Sequence, residues 1–211
     1  MERILCLVMG YVFGLFQSGI LYGKANNIDI RQHGSGNAGS TNVLRVMGVK
    51  AGLIVFIGDF SKTVIPCLLA RYFFRNQPEL LYVLILYTGF GVVLGHNFPC
   101  TMGFKGGKGI AAMAGILASV DWRVMLVCLA VFVVTVAVTR YVSLGSILVV
   151  TVFLIFMVWF GGRGDYGLGS QYLLEFYGIS AVITGMAVWR HRANIGRLLH
   201  GTENKIGSKK K

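Results

Sequence analysis

Four groups of residues in this 211-residue chain are of types, and at spacings, that could do chemistry. The first runs His33-Gly-Ser-Gly-Asn-Ala-Gly-Ser-Thr-Asn42 and continues through Arg45 to Gly48. Glycine amides there can approach an anion, Ser40 or Thr41 could cap a short helix, Arg45 would stand about one turn into it, and Gly48 would stop it. The same stretch also reads as a flexible loop with an interfacial helix that dips Val43, Leu44, Val46 and Met47 into lipid. Gly34, Gly36 and Gly39 match the dinucleotide pattern, but that pattern must follow a strand and here an apolar run precedes it, so the match is rejected.

The second group, Gly95-His-Asn-Phe-Pro-Cys-Thr-Met-Gly-Phe-Lys-Gly-Gly-Lys-Gly109, resembles a phosphate loop without being a Walker A motif. Met102 stands where the first glycine belongs and Gly109 replaces Ser or Thr, which argues against a magnesium-held nucleoside triphosphate. Lys105, Gly106, Gly107 and Lys108 instead suit a simple phosphate monoester, with the next helix pointing its positive end at it. Topology-marking lysines and a tight turn are the plainer alternative. The third group is Arg190-His-Arg-Ala-Asn-Ile-Gly-Arg-Leu-Leu-His-Gly-Thr-Glu203. On a helix that continues the last apolar run, His191, Asn194 and Arg197 would share one face. A basic juxtamembrane helix gripping lipid headgroups is the competing account, and it leaves His191 and Asn194 without a role. The fourth is Asp59 with Lys62, read as a self-neutralising structural pair several turns away from the first group.

The elements that carry these groups must be membrane helices. Apolar residues make up 55% of the chain and charged residues 13%, which is not a soluble composition. Seven apolar runs stand out: 4–22, 51–70, 80–95, 110–120, 124–138, 141–160 and 172–189. Six approach the ~17–25 residues that cross a bilayer, and 110–120 falls short. If all seven cross, one side carries 14 Lys and Arg and the other 5. The positive-inside bias then puts the N-terminus outside and the C-terminus in the cytoplasm, with the first three groups on the cytoplasmic side. The expectation is an all-α polytopic protein of seven transmembrane helices, with one domain over 1–203 and a basic cytoplasmic tail over 204–211.

No cleavage site follows the first run, which reads as a retained span. The net charge of +12 points to anionic lipid headgroups, and no soluble basic domain remains to carry nucleic acid. Cys6, Cys67, Cys100 and Cys128 show no metal spacing and read as buried thiols, so neither a metal site nor a cofactor is expected. The pairs Gly10/Gly14 and Gly91/Gly95 read as helix-packing contacts.

In order, Ser35 to Asn42, Gly95 to Pro99 with Phe104 to Gly109, and His191 to Arg197 with Gly201-Thr-Glu203 resemble the motifs of the PlsY family. These are bacterial acyl-phosphate-dependent glycerol-3-phosphate acyltransferases, and the resemblance covers nearly the whole chain, including Asp59 and Lys62. Ser40, Thr63 and Ala193 depart from the usual residues. The resemblance implies transfer of a fatty acyl group from acyl phosphate to the 1-hydroxyl of glycerol 3-phosphate, giving lysophosphatidic acid and phosphate. It implies a multi-pass protein of the bacterial inner membrane, a monomer with glycerol 3-phosphate, long-chain acyl phosphate and the bilayer as partners, its site facing the cytoplasm. Carried over by position, Ser35, His191 and Asn194 are catalytic. Thr41, Asn42, Arg45, His96, Lys105, Gly106, Gly107, Lys108, Arg197 and Glu203 bind substrate. Direct transfer is preferred to an acyl-Ser35 intermediate, because no acid is an evident orienter of His191. An organic-phosphate transporter and a non-catalytic lipid-binding scaffold are the competing classes.

Overall fold

The computed structural model describes residues 1–207, so residues 208–211, the end of the expected basic tail, lie outside the described residues. Among the described residues the fold is helical throughout, without strands. Its helices are α1 (Glu2–Gly14), α2 (Ser18–Ala25), α3 (Ser40–Met47), α4 (Val49–Phe73), α5 (Pro78–Asn97), α6 (Ile110–Val120), α7 (Trp122–Thr139), α8 (Val142–Gly162), α9 (Ser170–Arg190) and α10 (Arg192–Leu199).

Six stretches are long and apolar enough to cross a membrane: Glu2–Ala25, α4, Pro78–Met102, α7, α8 and α9. The short fourth run, 110–120, forms α6, which at 1.5 Å per residue is only ~16 Å long. Its length need not match the hydrocarbon because protein, not lipid, surrounds it. Ala112, Met113, Ile116 and Leu117 are buried, and α4, α5, α7 and α8 pack around it.

Small residues set the helix approaches, as expected where lipid gives no hydrophobic drive for association. A Cβ on Gly95 of α5 would stand 3.0 Å from Cα of Gly14 in α1, and one on Gly14 would stand 2.9 Å from Cα of Gly95. Gly10 and Gly91 complete that reciprocal contact. On the other side, a Cβ on Gly115 of α6 would meet the Phe60 carbonyl of α4 at 2.7 Å. Thus α5 lies at the centre of the bundle, while Leu5, Val8, Ile57, Leu129 and Val133 face outward to lipid.

Two runs expected to be continuous are broken, each at a polar residue. The first run stops after Gly14, and Gln17 bridges the break: its side-chain amide donates to the carbonyls of Gly14 (3.1 Å), Gly95 (3.3 Å) and His96 (3.3 Å). Lys62 donates to the Phe16 carbonyl at 2.6 Å. Backbone carbonyls exposed inside a bilayer need such donors, so the break is tolerated because it is capped. The last run bends at His191, which ends α9 and opens α10. Cys6, Cys67 and Cys128 are buried free thiols, whereas Cys100 is exposed on the turn after α5.

Candidate functional site

The first group folds around Asn42. Gly34 and Gly36 adopt positive φ (63° and 71°), which turns the 33–39 segment back over α3. The N-cap of α3 is Gly39 rather than Ser40 or Thr41, and the side-chain Oδ1 of Asn37 accepts from the Gly39 amide at 2.9 Å. Gly48 stops the helix as expected. The buried Asn42 carbonyl oxygen accepts from the Ser35 amide (2.8 Å) and the Ser35 hydroxyl (3.1 Å). Its NH2 donates to the carbonyls of Ile30 (3.1 Å) and His33 (3.0 Å). Both of its protons are thus committed to the loop, and Asn42 acts as a staple instead of a donor to a ligand.

The second group is held from below by α5. The amides of Gly106 and Gly107 donate to the carbonyls of Asn97 and His96, each at 3.1 Å. Their carbonyls accept from the Arg190 guanidinium at 3.0 and 2.6 Å. A Cβ on Gly107 would stand 2.9 Å from Cε1 of His96, so that glycine lets the loop lie against the imidazole. The glycines therefore serve close packing, and their amides are not free to meet an anion. Lys105 is exposed and stands outside the cavity wall, while Lys108 turns inward. Gly109, at φ 80°, then starts α6.

The third group reaches the same place despite the bend at His191. Nδ1 of His191 bonds the Ala187 carbonyl at 2.8 Å; a carbonyl only accepts, so Nδ1 carries the proton and Nε2 keeps its lone pair. Asn194 accepts from the Lys108 ammonium through Oδ1 and donates to Glu203 Oε1 at 2.8 Å through Nδ2. Arg197 Nε donates to Glu203 Oε2 at 2.7 Å. Gly201, at φ 68°, reverses the chain after α10 and brings Glu203 back against it. Sequence order places Glu203 beyond a break; the fold makes it the carboxylate that ties Asn194 to Arg197.

These segments enclose one cavity of about 250 Å³. Ser35, Thr41, Asn42, Arg45, His96, Lys108, His191, Asn194, Arg197 and Glu203 line it, whereas Lys105, Gly106 and Gly107 do not. Sequence reasoning missed Asp59, Ser143, Ser146 and, as a site residue, Arg190, all of which also line it. Asp59 lies 1% exposed in α4, ion-paired with Lys62 at 2.9 Å. Its distance along α4 from the first group misled, because the cavity reaches as far as Asp59. The i, i+3 intramembrane pair was itself the available signal.

Four cations, Arg45, Lys108, Arg190 and Arg197, face this space against the carboxylates of Asp59 and Glu203. Burial pushes Lys108 down to about 8, with Glu203 pulling the other way and Arg197, Arg190 and Arg45 adding to the fall. Burial also holds His191 down at about 4, against the pull of its bond to Ala187, so its imidazole is neutral near pH 7. The result is a cationic pocket with a neutral imidazole lone pair: chemistry suited to a phosphate ester and an adjacent hydroxyl. Among the described residues no group of three or more His, Cys, Asp or Glu side chains is placed to hold a metal ion.

The family model described as glycerol-3-phosphate acyltransferase matches residues 4–201. A glycerol-3-phosphate acyltransferase of Alkaliphilus metalliredigens is 41% identical, covering 99% of this chain and 98% of its own. One from Clostridioides difficile is 40% identical over 98% and 97%. Among solved structures, the glycerol 3-phosphate form of PlsY, an integral membrane glycerol 3-phosphate acyltransferase, superposes with a TM-score of 0.83 at 34% identity, covering 98% of this chain and 96% of that one. The lysophosphatidic acid form of PlsY superposes with a TM-score of 0.81 at the same identity and coverage.

Proposed function

This chain belongs to the glycerol-3-phosphate acyltransferase family typified by PlsY, and from that premise we propose that it moves a fatty acyl group from acyl phosphate to the 1-hydroxyl of glycerol 3-phosphate. The products are lysophosphatidic acid and inorganic phosphate, and no cofactor takes part. One observation carries the reading: all three polar groups of the sequence meet in one cavity that holds four cations and a neutral imidazole.

Both substrates bring a phosphate, which accounts for the number of cations. Lys108, Arg197 and Arg190 take the phosphate of glycerol 3-phosphate, and Arg45 with the Ser35 loop takes that of the donor. Lys105 is left to the membrane surface. His191 Nε2 accepts from the attacking hydroxyl and aims its oxygen at the acyl carbon. A C–O bond forms there, and the bond from the acyl carbon to the phosphate oxygen breaks. An imidazole held near 4 is a weaker base than the departing phosphate, so the proton ends on that phosphate. Ser35 has its hydroxyl bonded to Asn42 and not to an imidazole, which favours direct transfer over an acyl-serine. The protein works as a monomer over residues 1–203, in the bacterial inner membrane, with this cavity on the cytoplasmic side.

The test incubates the purified protein in detergent with palmitoyl phosphate and glycerol 3-phosphate, without coenzyme A. Phosphate and lysophosphatidic acid should appear one to one, and a quench with labelled palmitoyl phosphate alone should leave the protein unlabelled. Release of phosphate without the lysolipid would refute the transfer. Label lost in Ser35→Ala would replace direct transfer with an acyl-enzyme.

A further inference from the structure

Below the cationic part of the cavity, three buried groups from two helices meet where no requirement of the fold explains all of them. Lys62 extends its ammonium to Asp59 Oδ1 (2.9 Å), to the Phe16 carbonyl at the α1 break (2.6 Å) and to Nδ1 of His96 (2.9 Å). An ammonium has three protons and no lone pair, so its hydrogen bonds to Phe16 and His96 are donations, while Asp59 is paired with it by charge. Nδ1 of His96 must then be the accepting nitrogen, and the ring proton sits on Nε2. Asp59 is 3.8 Å from the same Nδ1 and supplies the countercharge. Capping the broken α1 needs Lys62 alone; it needs neither the imidazole nor its place on the cavity wall.

His96 and His191 are thus fixed in opposite tautomers within one cavity. His191 offers a lone pair and His96 offers an N–H. A neutral N–H on this buried ring adds little to binding a dianion, which the four cations of the cavity already serve. It fits an oxygen that is uncharged in the substrate and gains charge in the transition state. Other neutral donors of these loops are engaged elsewhere: the NH2 of Asn42 in its loop, and the amides of Gly106 and Gly107 on α5.

We propose that His96 donates from Nε2 to the acyl carbonyl oxygen during transfer, and that Lys62, held by Asp59, is the positioning residue that keeps His96 in this tautomer. The proposal rests on the acyl-transfer reading given above. In the step, negative charge moves onto the carbonyl oxygen as the hydroxyl oxygen bonds to carbon. The His96 proton stays on nitrogen, and the charge leaves with the phosphate.

The experiment combines nitrogen-15 NMR of histidine-labelled protein in detergent with two-substrate kinetics. His96 is assigned by its loss in His96→Gln. In the wild type it should show one tautomer, protonated at Nε2; in the charge-neutral double variant Asp59→Asn/Lys62→Met that preference should be lost. Glutamine can place an N–H near the position of Nε2, so His96→Gln should keep most of kcat. His96→Phe should lose about 10²–10³-fold in kcat with the Michaelis constant for glycerol 3-phosphate little changed. A Nδ1-protonated His96 in the wild type overturns the proposal. So does a His96→Phe effect confined to the Michaelis constant, or a double variant that folds and keeps the wild-type tautomer. Wild-type turnover is the control: its absence overturns the acyl-transfer reading and the carbonyl assignment together, whereas its presence with the wrong tautomer overturns only the role of His96.

Discussion

Lys108 shows how one side chain can be both anchor and pH sensor. Its ammonium bonds Asn194, yet burial holds it down at about 8, so it is charged below that pH and neutral above it. Binding of a phosphate dianion by the cavity should therefore weaken as pH rises through about 8. In steady-state assays kcat/KM for glycerol 3-phosphate should fall along an alkaline limb set by this group. Lys108→Arg should move that limb beyond pH 10, because a guanidinium stays charged there. Lys108→Ala should raise the Michaelis constant for glycerol 3-phosphate at every pH, and an unaltered constant would remove Lys108 from that phosphate. Residue types alone made Lys108, His191 and Asn194 legible, since His, Asn and Lys among glycines serve no need of solubility. They did not reveal that Asn42 faces its own loop, or that Gly106 and Gly107 have committed amides. Those facts depend on which carbonyls lie opposite, and no spacing rule supplies that.

Elements were legible where hydrophobicity is continuous and misread where a polar residue interrupts it. The long runs became helices within a few residues of their expected ends, and both glycine pairs became the α1–α5 contact. The α1 break went unseen because Gln17 and Lys62 tie it to groups on distant helices, and the bend at His191 because the imidazole itself caps α9 through the Ala187 carbonyl. The segment after α10 is a further case. It folds back as a strap: Ile206 donates its amide to the Arg140 carbonyl at 2.9 Å, and the Arg140 guanidinium donates to the Ile206 carbonyl at 3.1 and 2.7 Å. Arg140 takes positive φ (63°) at the turn between α7 and α8, so Asn, which tolerates that conformation, is the informative replacement. Arg140→Asn removes two exposed hydrogen bonds, each worth about 0.5–1.5 kcal/mol, and should loosen the strap that carries Glu203. Hydrogen exchange should quicken over residues 202–207, and the Michaelis constant for glycerol 3-phosphate should rise roughly 3–10-fold with kcat nearly constant. Unchanged exchange would mean that Glu203 is held by α10 alone.

For the whole molecule, the placing of charge and the placing of the cavity are one problem. Converging three polar groups at one end of the bundle requires an even number of crossings between the first of them and the tail, and the short α6 is what makes the number even. Its enclosure by other helices explains how eleven residues can serve where lipid contact would demand about twenty. Without that crossing, Arg190 to Glu203 would lie across the membrane from Lys108, and the bond between Lys108 and Asn194 could not form. The charge bias predicts a bundle oriented with the cavity inward. The exposed Cys100, on the turn that follows α5, reports this directly. In intact cells it should resist a membrane-impermeant maleimide and react with a permeant one, whereas Arg163→Cys in a Cys100→Ser background should react with both. The opposite pattern would turn the cavity outward, and the positive-inside bias would then have failed for a chain with 14 cations on one side and 5 on the other.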